Sequence, residues 1–89
     1  MKFKIGDRVR YINYYRVSGP YSGSTGVIAD YDEYWAPPWG VCFDDDFWGA
    51  HNLGGKISTR TGWWCNEDEL ELIEPEEDFS INADLEEVL

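Results

Sequence analysis

Apolar and polar positions alternate with a period of two through much of the first 73 residues. From Arg8 to Val17, Val9 and Tyr11 fall on one face and Arg8, Arg10 and Ile12 on the other, the pattern of a half-buried strand entered by a Gly6-Asp7 turn. Ser18-Gly19-Pro20-Tyr21-Ser22-Gly23-Ser24 is a loop by composition. Thr25 to Glu33 predicts a second strand, with Val27, Ala29 and Tyr31 opposite Ile28, Asp30 and Asp32. Pro37-Pro38 then interrupts pairing, because proline has no N–H to give a ladder. Trp39 to Asp44 predicts a third strand and residues 45–61 a long glycine-containing excursion. Gly62-Trp63-Trp64-Cys65 predicts a fourth, in which the adjacent tryptophans must point to opposite faces. Asn66-Glu67-Asp68-Glu69 predicts one helical turn before a short fifth strand through Leu70, Leu72 and Ile73.

Five short strands with glycine turns predict an all-β, closed or nearly closed barrel over residues 1–74, since closure removes exposed edges. The long loop falls between strands 3 and 4. After Pro75 the period changes. Ile81, Leu85, Val88 and Leu89 fall at i, i+4, i+7 and i+8 with Ser80 as an N-cap, so the tail, residues 75–89, has one apolar helical face. A helix this short is marginal alone. It docks on the barrel, docks on a partner, or stays unfolded.

Length and composition agree with one small domain. The chain has 89 residues, 43% of them hydrophobic, and its five Trp, six Tyr and four Phe can fill a compact core. No apolar run approaches the length of a membrane span. The polar start, Met1 to Asp7, is unlike a secretory leader, and two cysteines fit a reducing compartment, so a cytoplasmic location is expected.

Charge divides the chain. The net charge is −11, from 7 bases and 18 acids. All seven bases precede residue 61, where seven acids balance them; residues 67–89 hold the other 11 acids and no base. Direct nucleic-acid binding, which needs clustered cations, is disfavoured, and a basic partner surface is favoured. Glu67, Asp68, Glu69, Glu71, Glu74, Glu76, Glu77, Asp78, Glu86 and Glu87 are the candidate acidic binding surface. In a barrel with the first strand beside the last, Glu69, Glu71 and Glu74 would partly pair with Lys2, Lys4, Arg8 and Arg10.

Few residues offer chemistry. Asp44-Asp45-Asp46 lacks the spacing of a calcium loop and is read as a solvated turn. Cys42, Cys65 and His51 lack the close cysteine pair of a structural zinc site, so no metal or cofactor is expected. The thiols are read as buried or half-buried, with a disulfide possible in geometry if their strands pair. A Cys-His nucleophile would depend on the only histidine, and Gly55-Lys56-Ile57-Ser58 has the wrong glycine spacing for a phosphate loop. No enzyme is expected. His51, among Gly49, Asn52, Gly54 and Gly55, is read as fixing its loop through side-chain-to-backbone hydrogen bonds. The tryptophans exceed what one small core readily buries, and Tyr14, Tyr34, Trp35, Trp39 and Trp48 form a candidate aromatic surface.

Lys4-Ile5-Gly6-Asp7-Arg8-Val9, Gly23-Ser24-Thr25-Gly26-Val27-Ile28, Val41-Cys42-Phe43-Asp44 and Leu70-Glu71-Leu72-Ile73 together resemble an SH3-like barrel, including the Mib/Herc2 type. Gly49-Ala50-His51-Asn52-Leu53-Gly54-Gly55 with Gly62-Trp63-Trp64 resembles small phage and bacterial proteins. The likeness spans roughly residues 2–73 and implies a fold and a binding role, with no catalytic or ligand residue to carry over. The expected function is a non-catalytic protein-binding module. In the version the phage likeness implies, it inhibits a host nucleic-acid-binding or defence protein, its carboxylates imitating DNA phosphates. The alternative is a barrel that binds a small ligand or peptide in an aromatic groove.

Overall fold

A computed structural model describes residues 3–13 and 18–74. Its strands are β1 (Arg8–Tyr11), β2 (Thr25–Tyr31), β3 (Trp39–Phe43), β4 (Gly62–Cys65) and β5 (Leu70–Leu72), with single 3-10 turns at Leu53–Gly55 and Glu67–Glu69. All five pair antiparallel in one sheet of order β4-β3-β2-β1-β5. The first strand therefore lies beside the last, as expected, with Val9, Arg10 and Tyr11 opposite Leu72, Glu71 and Leu70. The predicted helical turn also forms, and leads directly into β5. The proposed helix at 75–89 lies outside the described residues.

β1, β2 and β3 end before the pattern predicts, and turn chemistry explains the end of β2. β2 stops at Tyr31 because the Asp32 carboxylate accepts from Tyr34 N (3.0 Å) while its carbonyl accepts from Trp35 N (3.1 Å), an Asx-type reversal. β3 stops at Phe43, although Asp44 N still donates to Thr25 O at 2.9 Å. β1 stops at Tyr11, and Ile12 N donates to Glu69 O (2.9 Å) just past its end.

Alternation places the core correctly in β1, and β3 keeps the same period. Val9 and Tyr11 are fully buried, and Trp39, Val41 and Phe43 share the inner face of β3. Trp39 is thus corrected from the candidate surface to the core: at 3% exposure it packs edge-on against Phe3 (5.3 Å) and tilted against Tyr31 (4.4 Å). Phe43, Phe47 and Trp63 continue a series of edge-to-face contacts at 5.5 and 5.8 Å. In β2 the expected faces fail. Ile28 pairs with Val41 and Asp30 with Gly40, leaving Ala29 as a bulge. The extra residue shifts the parity, so Ile28 and Tyr31, expected on opposite faces, both pack on the core.

The long loop folds back over the outer face of β3 and β4. There it seats Leu53, 1% exposed. A Cβ at Gly62 would lie 2.7 Å from Leu53 Cγ, and one at Gly40 would lie 3.1 Å from Leu53 Cδ1 and 3.0 Å from Trp64 Cζ3. Two strand glycines therefore make room for one loop leucine.

The strands holding the cysteines do pair, but their register excludes a direct disulfide. Cys42 lies opposite Gly62 and Cys65 opposite Trp39, with Cys42 on the outer face beside Thr59 and Thr61 and Cys65 buried inside. Among the N-terminal bases, Arg10 meets Glu71 at 2.6 Å as expected, whereas Arg8 reaches across the sheet and forks onto Asp44 through two 2.8 Å bonds.

Candidate functional site

The β2–β3 connection projects Tyr34 and Trp35, 91% and 57% exposed, from the reversal that Asp32 holds. The Ala36-Pro37 peptide is cis. Trp35, Ala36 and Pro37 form one wall of an open groove of about 380 Å³. Trp63 and Trp64 of β4 form the other, His51 closes one part, and Asn66 and Glu69 bring in the turn before β5. No Lys or Arg among the described residues lines it.

The β4 wall is fixed from behind. Trp64 rests against Gly40 on the outer face, while Trp63 packs on Phe47 and lies 5.8 Å from the His51 ring. His51 plays the loop-fixing role its neighbours predict: Leu53 N donates to its Nδ1 at 3.0 Å. That bond places the proton of the neutral ring on Nε2. It also supports Leu53 in a left-handed conformation, φ 56°, which costs a non-glycine residue free energy. The His51 backbone is tied to Gly62 in both directions, at 3.2 and 2.7 Å.

Glu69 is corrected from the acidic surface. It is 7% exposed, and its carboxylate accepts from Asn13 Nδ2 (2.8 Å), Asn66 N (2.8 Å) and Tyr11 O–H (3.3 Å). The Asn66 contact is the reciprocal half of a capping box, so this acid holds the turn that borders the groove. Glu67, Asp68, Glu71 and Glu74 are exposed as expected, with Glu71 engaged by Arg10. A second, more polar depression of about 440 Å³ lies along the same turn, lined by Ile12, Asn13, Asn66, Asp68 and Glu69. Glu76, Glu77, Asp78, Glu86, Glu87 and Tyr14 lie outside the described residues.

Of the five candidate aromatics, the groove uses Trp35. Tyr34 stands exposed beside it, Trp48 is 76% exposed elsewhere, and Trp39 is core. Sequence reasoning missed Pro37, Asn66 and the groove-facing parts of Trp63, Trp64 and His51. The Trp63-Trp64 pair was the available signal, since one of two adjacent strand tryptophans must leave the core.

The Asp44 carboxyl is held below the ordinary aspartate value of 3.8, first by its hydrogen bonds from Arg8; burial opposes these as the next largest effect, and the Thr25 hydrogen bond and the Arg8 charge add to the lowering. This cluster ties β1, β2 and the end of β3 together and is structural. Among the described residues no group of His, Cys, Asp and Glu is arranged to hold a metal ion, and no helix is long and apolar enough to cross a membrane. Comparison with protein families, with curated proteins and with solved structures returned no match.

What the groove offers is indole and proline surface beside an acidic turn. Indole faces attract cations as well as apolar groups, and the exposed carboxylates of Glu67 and Asp68 add to that preference.

Proposed function

We propose that this chain is a non-catalytic protein-binding module with an SH3-like barrel, and that its groove takes a basic, extended segment of a partner protein. The observation that carries this reading is Trp35: a tryptophan left 57% exposed while sharing one groove with Pro37, Trp63 and Trp64. Apolar surface gathered in one patch marks interaction sites more than singly exposed side chains do, and tryptophan is over-represented among residues that dominate binding energy. The strand order, the first strand beside the last and the 3-10 turn before β5 support the barrel assignment. The acidic turn and the net charge of −11 support a basic partner, by steering association and disfavouring acidic competitors.

The test uses a short alternating Lys-Val peptide and its Glu-Val counterpart, with binding followed by tryptophan fluorescence. The basic peptide is expected to bind and the acidic one to fail. Trp35→Ala should weaken binding about tenfold, the range of a lost cation–aromatic contact plus its packing, and Trp48→Ala should leave it unchanged. Equal binding of both peptides, or loss with Trp48→Ala alone, overturns the reading.

A second reading has the run of 11 acids in residues 67–89 in its favour: inhibition of a nucleic-acid-binding protein by carboxylates standing in for phosphates. It predicts that the partner's DNA competes with this chain, and that the competition survives Trp35→Ala.

A further inference from the structure

The outer edge of β4 is closed at one position and open at the next. His51 N donates to Gly62 O (3.2 Å) and Gly62 N to His51 O (2.7 Å), a one-residue antiparallel bridge. Main-chain groups along an antiparallel strand turn alternately to one neighbour and the other. Phe43 N donates to Thr61 O at 2.9 Å, so Thr61, Trp63 and Cys65 face β3 while Gly62 and Trp64 face away. The loop does not continue along that edge. Gly49, φ 91°, and the Ala50 N to Phe47 O bond (3.2 Å) turn the chain aside just before His51. No described residue bonds the Trp64 N–H or C=O. Beyond it, Asn66 is closed again, its N–H on Glu69 Oε1 (2.8 Å) and its C=O on Glu69 N (3.1 Å). The gap is one residue wide and borders the groove, since His51, Trp64 and Asn66 all line it.

We propose that the partner segment binds as an added β-strand, exchanging a pair of main-chain hydrogen bonds with Trp64 and prolonging the bridge that His51 begins. This rests on the groove being the binding site, and it specifies how the segment is held. An unpaired edge position is a template for another chain. The side chains of an added strand alternate, so every second residue would face the tryptophan walls. The residue opposite Trp64 must supply an N–H, which excludes proline there. Charge selects the occupant. The chain's own tail, residues 75–89, has six acids and no base, and a second copy has a net charge of −11; both are repelled by Glu67 and Asp68, whereas a segment bearing Lys or Arg is attracted.

The test is amide hydrogen exchange at Trp64 in the isotopically labelled full chain, with indole shifts read in parallel. The probes are the Lys-Val peptide and its fully N-methylated counterpart, which keeps side chains and charge but has no N–H. The Lys-Val peptide should slow Trp64 exchange about tenfold or more, and the N-methylated one should bind about tenfold more weakly without protecting it, as loss of such bonds implies. If the Trp35 and Trp64 indoles shift while Trp64 exchange stays fast, the segment lies in the groove but not as a strand, and this proposal fails while the groove reading stands. If no indole of the groove responds, both fail. Protection that rises with protein concentration in the absence of peptide would assign the edge to a second copy and overturn the proposal.

Discussion

Replacing Glu69 by Ala removes the acceptor shared by Tyr11 O–H, Asn13 and Asn66 N. Leaving donors in a buried place without that acceptor should cost about 1–3 kcal/mol in urea unfolding, and Glu69→Gln, which keeps one acceptor oxygen, should cost less. The Arg10–Glu71 pair is exposed at 40% and 49%, so Arg10→Ala should cost no more than about 1 kcal/mol. Asp44 gives the pH dependence a sign. Its folded pKa is depressed, so its contribution is present above 3.8 and is lost as pH falls through the lower folded value. Asp44→Asn should therefore show a deficit of about 0.2–1 kcal/mol at neutral pH that shrinks in acid; a deficit that grows below pH 3.8 would contradict the Arg8 assignment. At this scale the sequence was only partly legible. The loop role of His51 could be read from its neighbours. The burial of Glu69 could not, because its donors Tyr11 and Asn13 lie 58 and 56 residues away and charge alone reads as exposure.

Strand alternation was legible wherever one strand kept one parity. β1, β3 and β4 show it, and in β3 Trp39 shares the parity of Val41 and Phe43, which places it inward despite its aromatic, surface-capable side chain. β2 escaped because the bulge at Ala29 inserts a residue that no residue type announces. The loop's fold-back escaped for a similar reason: composition shows a glycine-rich excursion but not that Gly40 and Gly62 form the seat for Leu53. Gly26 is the tightest case, with an added Cβ only 2.6 Å from Cys42 O and 2.8 Å from Phe43 Cα. Backbone atoms yield little, so Gly26→Ala should destabilise by about 1–3 kcal/mol. Gly62→Ala meets Leu53 Cγ at 2.7 Å and His51 O at 2.8 Å. It should cost a similar amount and also speed exchange at the His51 amide, because the bridge to the loop opens. Unchanged His51 exchange would mean that the bridge does not hold the loop.

For the whole molecule, the division of charge was plain from the sequence, while the groove required three separated stretches to meet: the β2–β3 connection, the long loop at His51, and β4 with the turn that follows it. Steering by the acids and capture by the tryptophans are separable. Deleting residues 75–89 removes six acids and should weaken binding of a basic segment at low salt. The deficit should fade as salt rises, since screening already weakens those contacts. Unchanged affinity would reject a role for the tail in recognition. The central claim, that the groove built around Trp35 is the binding surface, is tested most directly by following the indole N–H signals of all five tryptophans while the full chain is titrated with the Lys-Val peptide. The account predicts saturable shifts at Trp35, Trp63 and Trp64 with Trp48 unmoved; shifts confined to Trp48, or none at the groove tryptophans, would contradict it.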